Sequence, residues 1–123
     1  MLYTCGLDSV GERAGFEEHG TVHNIPAQII RAECNEEQII VEAILRDTEI
    51  CGKNLVLRRK ITTAIGSDTV SVTDQLSNES YRDEEYCLLY HVNIGYPMLD
   101  EGGKIVADSQ TCLPRTPWAN ENI

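Results

Sequence analysis

The sequence has no long hydrophobic run, no paired-cysteine motif and half as many basic as acidic side chains, and each shortage removes a class of function. No stretch approaches the roughly 18 consecutive apolar residues that a membrane helix requires. Met1-Leu2-Tyr3-Thr4-Cys5 has neither the basic start nor the apolar stretch of an export signal. A cytoplasmic protein without membrane contact is expected. Cys5, Cys34, Cys51, Cys87 and Cys112 are odd in number and widely separated, which excludes a zinc ribbon or a thioredoxin-like site at the motif level. Buried free thiols are the expectation in a reducing compartment, as for Cys87 within Tyr86-Cys87-Leu88-Leu89. Ten basic against twenty acidic side chains give a net charge of -10, which repels phosphate backbones and anionic lipid, so nucleic acid is not an expected partner. The surplus is spread over pairs such as Glu17-Glu18, Glu36-Glu37 and Glu84-Glu85, the pattern of a solvated surface. No Gly-x-Ser-x-Gly elbow supplies a nucleophile. Asp100-Glu101-Gly102-Gly103 lacks the Lys-Ser/Thr of a phosphate loop and reads as a solvated turn. Asn78-Glu79-Ser80 fits a glycosylation sequon, a chance match without a secretion signal.

What the 123 residues do contain is the mixture of a soluble globular domain, 41% hydrophobic and 24% charged. Helix signals are weak, and β-branched and apolar residues come in short runs between Gly, Pro, Asn and Asp clusters. The chain therefore reads as all-β, with strands at Ala27 to Ala32, Gln38 to Arg46, Asn54 to Ala64, Thr69 to Leu76 and Glu85 to Asn93, and a further one at Lys104-Ile105-Val106. Their spacing predicts an antiparallel sandwich or barrel meander rather than βαβ units. Leu113-Pro114-Arg115-Thr116-Pro117-Trp118 reads as loop.

Turns are expected around Cys34-Asn35-Glu36-Glu37 and Ile65-Gly66-Ser67-Asp68. A two-residue loop at Gly66-Ser67 would oppose Ile65 to Asp68, Thr63 to Val70, Ile61 to Val72, Arg59 to Asp74 and Leu57 to Leu76 on one face. The other face would carry Thr62, Lys60, Arg58 and Val56 against Ser71, Thr73, Gln75 and Ser77. One face is then apolar and the other polar, which selects the register. It also places Arg59 opposite Asp74 inside the apolar stripe, where neither charge is tolerated alone. The pair reads either as a structural ion pair or as a binding element for a polar ligand.

Only three histidines are available for acid–base work. Strand alternation projects Leu89, His91 and Asn93 from one face, setting a histidine and an asparagine together at the end of a buried strand. On spacing alone His91 is a satisfied structural histidine or a functional one. His19 and His23 have the i, i+4 spacing of a helical metal pair, but Gly20, Thr21 and Val22 are poor helix formers and Pro26 follows, so no metal site is expected. Both read as loop or surface histidines.

Several segments together resemble the aldose 1-epimerase (galactose mutarotase)-like superfamily. They are Thr4-Cys5-Gly6-Leu7-Asp8-Ser9-Val10-Gly11, His19-Gly20 followed by Asn24-Ile25-Pro26-Ala27, Leu57-Arg58-Arg59-Lys60-Ile61 with Asp74 and Asn78, and, most specifically, Leu89-Tyr90-His91-Val92-Asn93-Ile94-Gly95-Tyr96-Pro97-Met98-Leu99-Asp100-Glu101-Gly102. The resemblance spans almost the whole chain and implies an antiparallel supersandwich of the galactose-mutarotase type, of which residues 1–123 correspond to the central part. It implies a small-molecule sugar as ligand, no cofactor, and anomer interconversion by acid–base ring opening. His91 would be the acid and His19 a substrate-orienting or charge-stabilising partner. Asn93 and Tyr96 would support the sugar, as would Arg59 and Asp74 on the ligand-binding reading of that pair.

The glutamate that serves as base in that superfamily has no counterpart here, nor has the arginine expected upstream of the Thr-Cys-Gly-Leu turn. His23 stands where a small polar residue is expected, and Glu17-Glu18 where an apolar one is. A fragment of a larger protein is expected on this comparison, one that binds sugar more surely than it turns it over. A partial sandwich leaves strand edges and apolar faces to be paired, so a homo-oligomer is expected as well.

Overall fold

The computed structural model describes residues 2–11, 18–111 and 113–121. Glu17 and Cys112, named above, lie outside them. The chain forms two compact units, Met1–Asn93 and Ile94–Ile123.

The first unit is all-β, an antiparallel sandwich of a four-stranded and a two-stranded sheet. β2 (Gln28–Cys34), β3 (Gln38–Thr48), β4 (Asn54–Ala64) and β5 (Ser71–Asn78) form the larger sheet in sequence order. β1 (Leu2–Leu7) and β6 (Cys87–Val92) form the smaller. Strand β1 was not expected: the resemblance treats Thr4 to Leu7 as a turn, yet these residues are buried strand.

The β2–β3 turn forms where expected, because the Asn35 side chain accepts the amides of Glu37 and Gln38 at 2.9 and 2.8 Å. The β4–β5 ladder has the expected register from Leu57↔Leu76 through Arg59↔Asp74 to Thr62↔Ser71. Its loop differs from expectation. The Ser67 amide bonds to Ala64 carbonyl at 3.1 Å, which puts Ile65 and Gly66 at the centre of the turn, with Gly66 at φ 79. The Ile65 amide is held by Glu37 carbonyl at 2.8 Å and Thr63 Oγ1 donates to Thr69 carbonyl at 2.8 Å, so pairing stops at Ser71 rather than reaching Val70.

Alternation along β4 sends Leu55, Leu57, Arg59 and Ile61 inward. Leu55 and Leu57 are buried with Leu7 and Val22, and Leu45, Leu76 and Leu88 pack against this cluster. Full burial of each such side chain contributes roughly 1.5–3 kcal/mol.

The pair of Arg59 and Asp74 on this inner face is closed. Arg59 Nε and Nη2 donate to the two oxygens of Asp74 at 2.8 and 2.6 Å. Tyr90 of β6 donates its hydroxyl to Asp74 Oδ2 at 2.7 Å, so the carboxylate links the two sheets. Burial alone would raise the Asp74 pKa, but the hydrogen bonds from Arg59 and Tyr90, with the Arg59 charge, outweigh it and hold the group below its ordinary value. At the other end of the sandwich Lys53 Nζ sits 3.1 Å from Asp47, 3.6 Å from Glu49 and 4.0 Å from Asp8.

The thiols depart from expectation: among the described residues Cys5 is buried and Cys87 half-buried, but Cys34 and Cys51 are exposed in or beside turns. In the second unit Lys104-Ile105-Val106 is not a strand, and Ile105 and Val106 are exposed. Trp118, expected in a loop, lies in the short helix α1 (Pro117–Glu121), where Thr116 Oγ1 accepts the Ala119 amide at 3.1 Å. Among the described residues no helix is long and apolar enough to cross a membrane.

Asp74 yields the first prediction. Because its folded pKa is depressed, its stabilisation is complete above the unfolded value of 3.8 and is lost as pH falls through the lower folded value. Asp74→Ala, which leaves the guanidinium without its partner, should lower stability by roughly 2–4 kcal/mol at pH 7. Urea unfolding across acid pH checks both, and an unchanged acid limb in the variant would refute the assignment.

Candidate functional site

The site begins at the β1–β6 ladder, where Tyr3 lies directly opposite His91. Neighbouring residues of a strand point to opposite faces. Tyr90 reaches inward to Asp74 on the other sheet, so His91 projects from the outer face of the small sheet, with Leu89 on the same side.

His19 is brought to that face by close backbone contact. The Gly6 amide donates to His19 carbonyl at 3.0 Å. His19 itself has φ 73, an uncommon conformation for a residue with a side chain, and Gly20 follows at φ 69. A Cβ on Gly20 would lie 2.3 Å from Ser9 carbonyl oxygen and 2.5 Å from that of Gly6, so this crossing admits only glycine. Gly6 is under the same constraint from Cys87 carbonyl oxygen on β6, at 2.2 Å from its would-be Cβ.

The result is a cluster of four rings. His19 and His91 have ring centroids 5.6 Å apart, Tyr3 meets His19 edge-on at 5.8 Å, and His23 lies over Tyr3 at 4.9 Å. Tyr3, His19 and His91 are half-buried and His23 is exposed. Among the described residues the contacts of these imidazoles are ring to ring, and no hydrogen bond holds a ring nitrogen. Tyr3 and His23 also line a largely apolar cavity of about 390 Å³ that runs inward past Val22 and Leu57 to Arg59. Among the described residues no group of three or more His, Cys, Asp or Glu is placed to hold a metal ion.

The sequence-derived residues thus separate. His91 and His19 meet, and Asn93 follows the last residue of β6. Arg59 and Asp74 face the interior, opposite His91, where Arg59 donates to Asp74 and Tyr90 donates to the same carboxylate. Tyr96 belongs to the second unit and is exposed. Tyr3 and His23 were missed. His23 was set aside with the helical metal pair, whereas the 3-10 turn Val22–Asn24 carries it onto Tyr3.

Two imidazoles beside an aromatic ring on an open face can donate and accept protons and pack against the carbon skeleton of a small polar ligand. The fold and this face define an antiparallel β-sandwich protein with a histidine–tyrosine cluster on its small sheet. Over residues 1–123 the chain matches, and belongs to, the family described as Domain of unknown function (DUF4432). No curated protein and no solved structure matches it.

The glycine crossing predicts a contrast. Gly66 has a similar φ of 79 but nothing within 4 Å of its would-be Cβ. Gly66→Ala should therefore cost only the conformational penalty, roughly 1–2 kcal/mol. Gly20→Ala adds the collision with two carbonyl oxygens and should cost roughly 2–4 kcal/mol. Denaturant midpoints of the two variants make the comparison; equal losses would remove the close-approach argument.

Proposed function

We propose that the protein binds a sugar on the outer face of β1–β6 in the manner of an aldose 1-epimerase. His91 donates a proton to the ring oxygen of the aldose as the C1–O5 bond breaks, the anomeric hydroxyl gives its proton to water, and His19 orients or stabilises the opening sugar. The observation that carries the reading is the apposition of His19 and His91 at 5.6 Å on one open face, from segments far apart in sequence. Histidine is the residue type whose ordinary titration range suits this exchange at neutral pH. Asn93 is the candidate polar partner at the end of the strand, and Tyr3 supplies the ring against which a pyranose packs.

A second reading, sugar binding without turnover, is favoured by the state of Asp8, a carboxylate bonded to the His19–Thr21 segment. Asp8 is committed to the Ser9 and Thr21 amides, the Thr21 hydroxyl and the Lys53 ammonium. It is thereby withheld from service as the base.

Anomer exchange followed by NMR decides between them. Accelerated interconversion of α and β signals, abolished by His91→Ala, supports the epimerase. Sugar-induced shifts at His91 without acceleration leave binding alone, and no shift with any aldose overturns both.

We also infer that the protein self-associates and works in the cytoplasm. Edge strand β2 exposes Ile29 and Ile30, the kind of open apolar edge that a second copy can pair, and the four free thiols of the described residues suit a reducing compartment. Sedimentation at micromolar concentration should show an oligomer that Ile30→Lys weakens; a clean monomer would remove the inference.

A further inference from the structure

We propose that Asp8 is a positioning residue for His19, acting through Thr21. The functional consequence rests on the sugar-face reading above, but the structural part stands independently of it.

Asp8 immediately follows β1. Its Oδ1 accepts the backbone amides of Ser9 at 2.9 Å and of Thr21 at 3.3 Å, and its Oδ2 accepts the Thr21 hydroxyl at 3.3 Å. Lys53 Nζ, 4.0 Å from Oδ2, supplies the counter-charge. His19 is therefore clamped at two points. Its own carbonyl is taken by the Gly6 amide, and two residues later the chain is tied to the same end of β1 by Asp8. Gly20, between the two points, lies so close that its would-be Cβ falls 2.8 Å from Asp8 Oδ1.

Such a clamp is what His19 needs. A left-handed φ on a residue with a side chain persists only where its surroundings over-determine it. Without Asp8, one of the two attachments is gone and His19 can return to an ordinary backbone conformation. Its ring then leaves Tyr3 and His91, although β1 and β6 keep their register through their own ladder.

The chemistry separates positioning from catalysis. Asparagine retains the carbonyl oxygen that accepts the two amides, and the Thr21 hydroxyl can turn to accept from its amide nitrogen. Asp8→Asn should therefore preserve the clamp, whereas Asp8→Leu, similar in size, abolishes it. A carboxylate acting as base would be lost equally in both variants.

The experiment reads the geometry and the ligand separately. Through-space NMR contacts between the His19 and His91 rings, and between Tyr3 and His91 across the ladder, are compared in the wild type, Asp8→Asn, Asp8→Leu and Thr21→Val. Galactose and glucose are titrated into each. The expected result is loss of the His19–His91 contact in Asp8→Leu with the Tyr3–His91 contact retained, and sugar affinity reduced roughly tenfold. Asp8→Asn should stay within about threefold of the wild type. A His19–His91 contact that survives in Asp8→Leu overturns the proposal, as does an Asp8→Asn variant with intact geometry but abolished sugar response. If Asp8→Leu fails to fold, Thr21→Val decides, an unweakened His19–His91 contact and unchanged affinity overturning the proposal. If the wild type responds to neither sugar while Asp8→Leu loses the ring contact, positioning stands and the sugar reading falls.

Discussion

The carboxylate of Asp74 is a point at which the two sheets are fastened by directed bonds. It takes two bonds from Arg59 on its own sheet and one from Tyr90 on the other. Apolar side chains would hold the sheets together as firmly, since a buried ion pair gives little net stability over a well-packed hydrophobic replacement. What the polar bridge adds is direction: a hydroxyl of fixed reach must meet an oxygen of fixed position. Once Tyr90 is committed inward, strand alternation commits His91 outward. The interior bond and the exposed imidazole are two sides of one residue step.

The outer face is completed by the same parts whose Leu7, Val22 and Leu88 enter or pack on the core. Tyr3 comes from β1, His91 from β6, and His19 and His23 from the connection between β1 and β2. The connection is held by backbone contact, Gly6 amide to His19 carbonyl, and by Asp8 on Thr21. Glycine at positions 6 and 20 is what lets two backbones approach to hydrogen-bonding distance while a side chain leaves the crossing. The ring cluster is thus a product of backbone geometry, and the side chains themselves need only be present at its exits.

The extent to which this was legible in the sequence follows the range of the interactions. The β4–β5 register could be read because the pairing is local and a one-residue slip would turn Leu57, Ile61, Val72 and Leu76 to solvent. The opposition of Arg59 and Asp74 came with it. Their exclusion from the histidine face did not, because it depends on Tyr90 of another sheet. Strand β1 was hidden for a similar reason: its partner lies at the far end of the unit, and Gly6, which reads as a turn residue, serves close approach to Cys87 instead. With β1 unseen, Tyr3 had no place, and His23 was judged by a helical spacing that the 3-10 turn does not use. The alternation of Tyr3 and Cys5 was the signal available, and it is short. The Ile105-Val106 run shows the converse, since its β-branched residues suit a strand and yet it joins no ladder among the described residues.

Charge satisfaction explains why the inner and outer faces hold different chemistry. A guanidinium and a carboxylate can occupy an apolar interior only if their bonding capacity is largely consumed there. Asp74 meets that condition through Arg59 and Tyr90, and by meeting it leaves little with which to recognise a ligand, while Arg59 gives two of its donors to the same carboxylate. Imidazole is under no such obligation at a half-exposed surface, where ring-to-ring packing can orient it. His19 and His91 are held in that way. The carboxylate most firmly bound into the fold is therefore the poorest candidate for recognition, whereas among the described residues the imidazoles of the outer face of β1–β6 are positioned by ring packing.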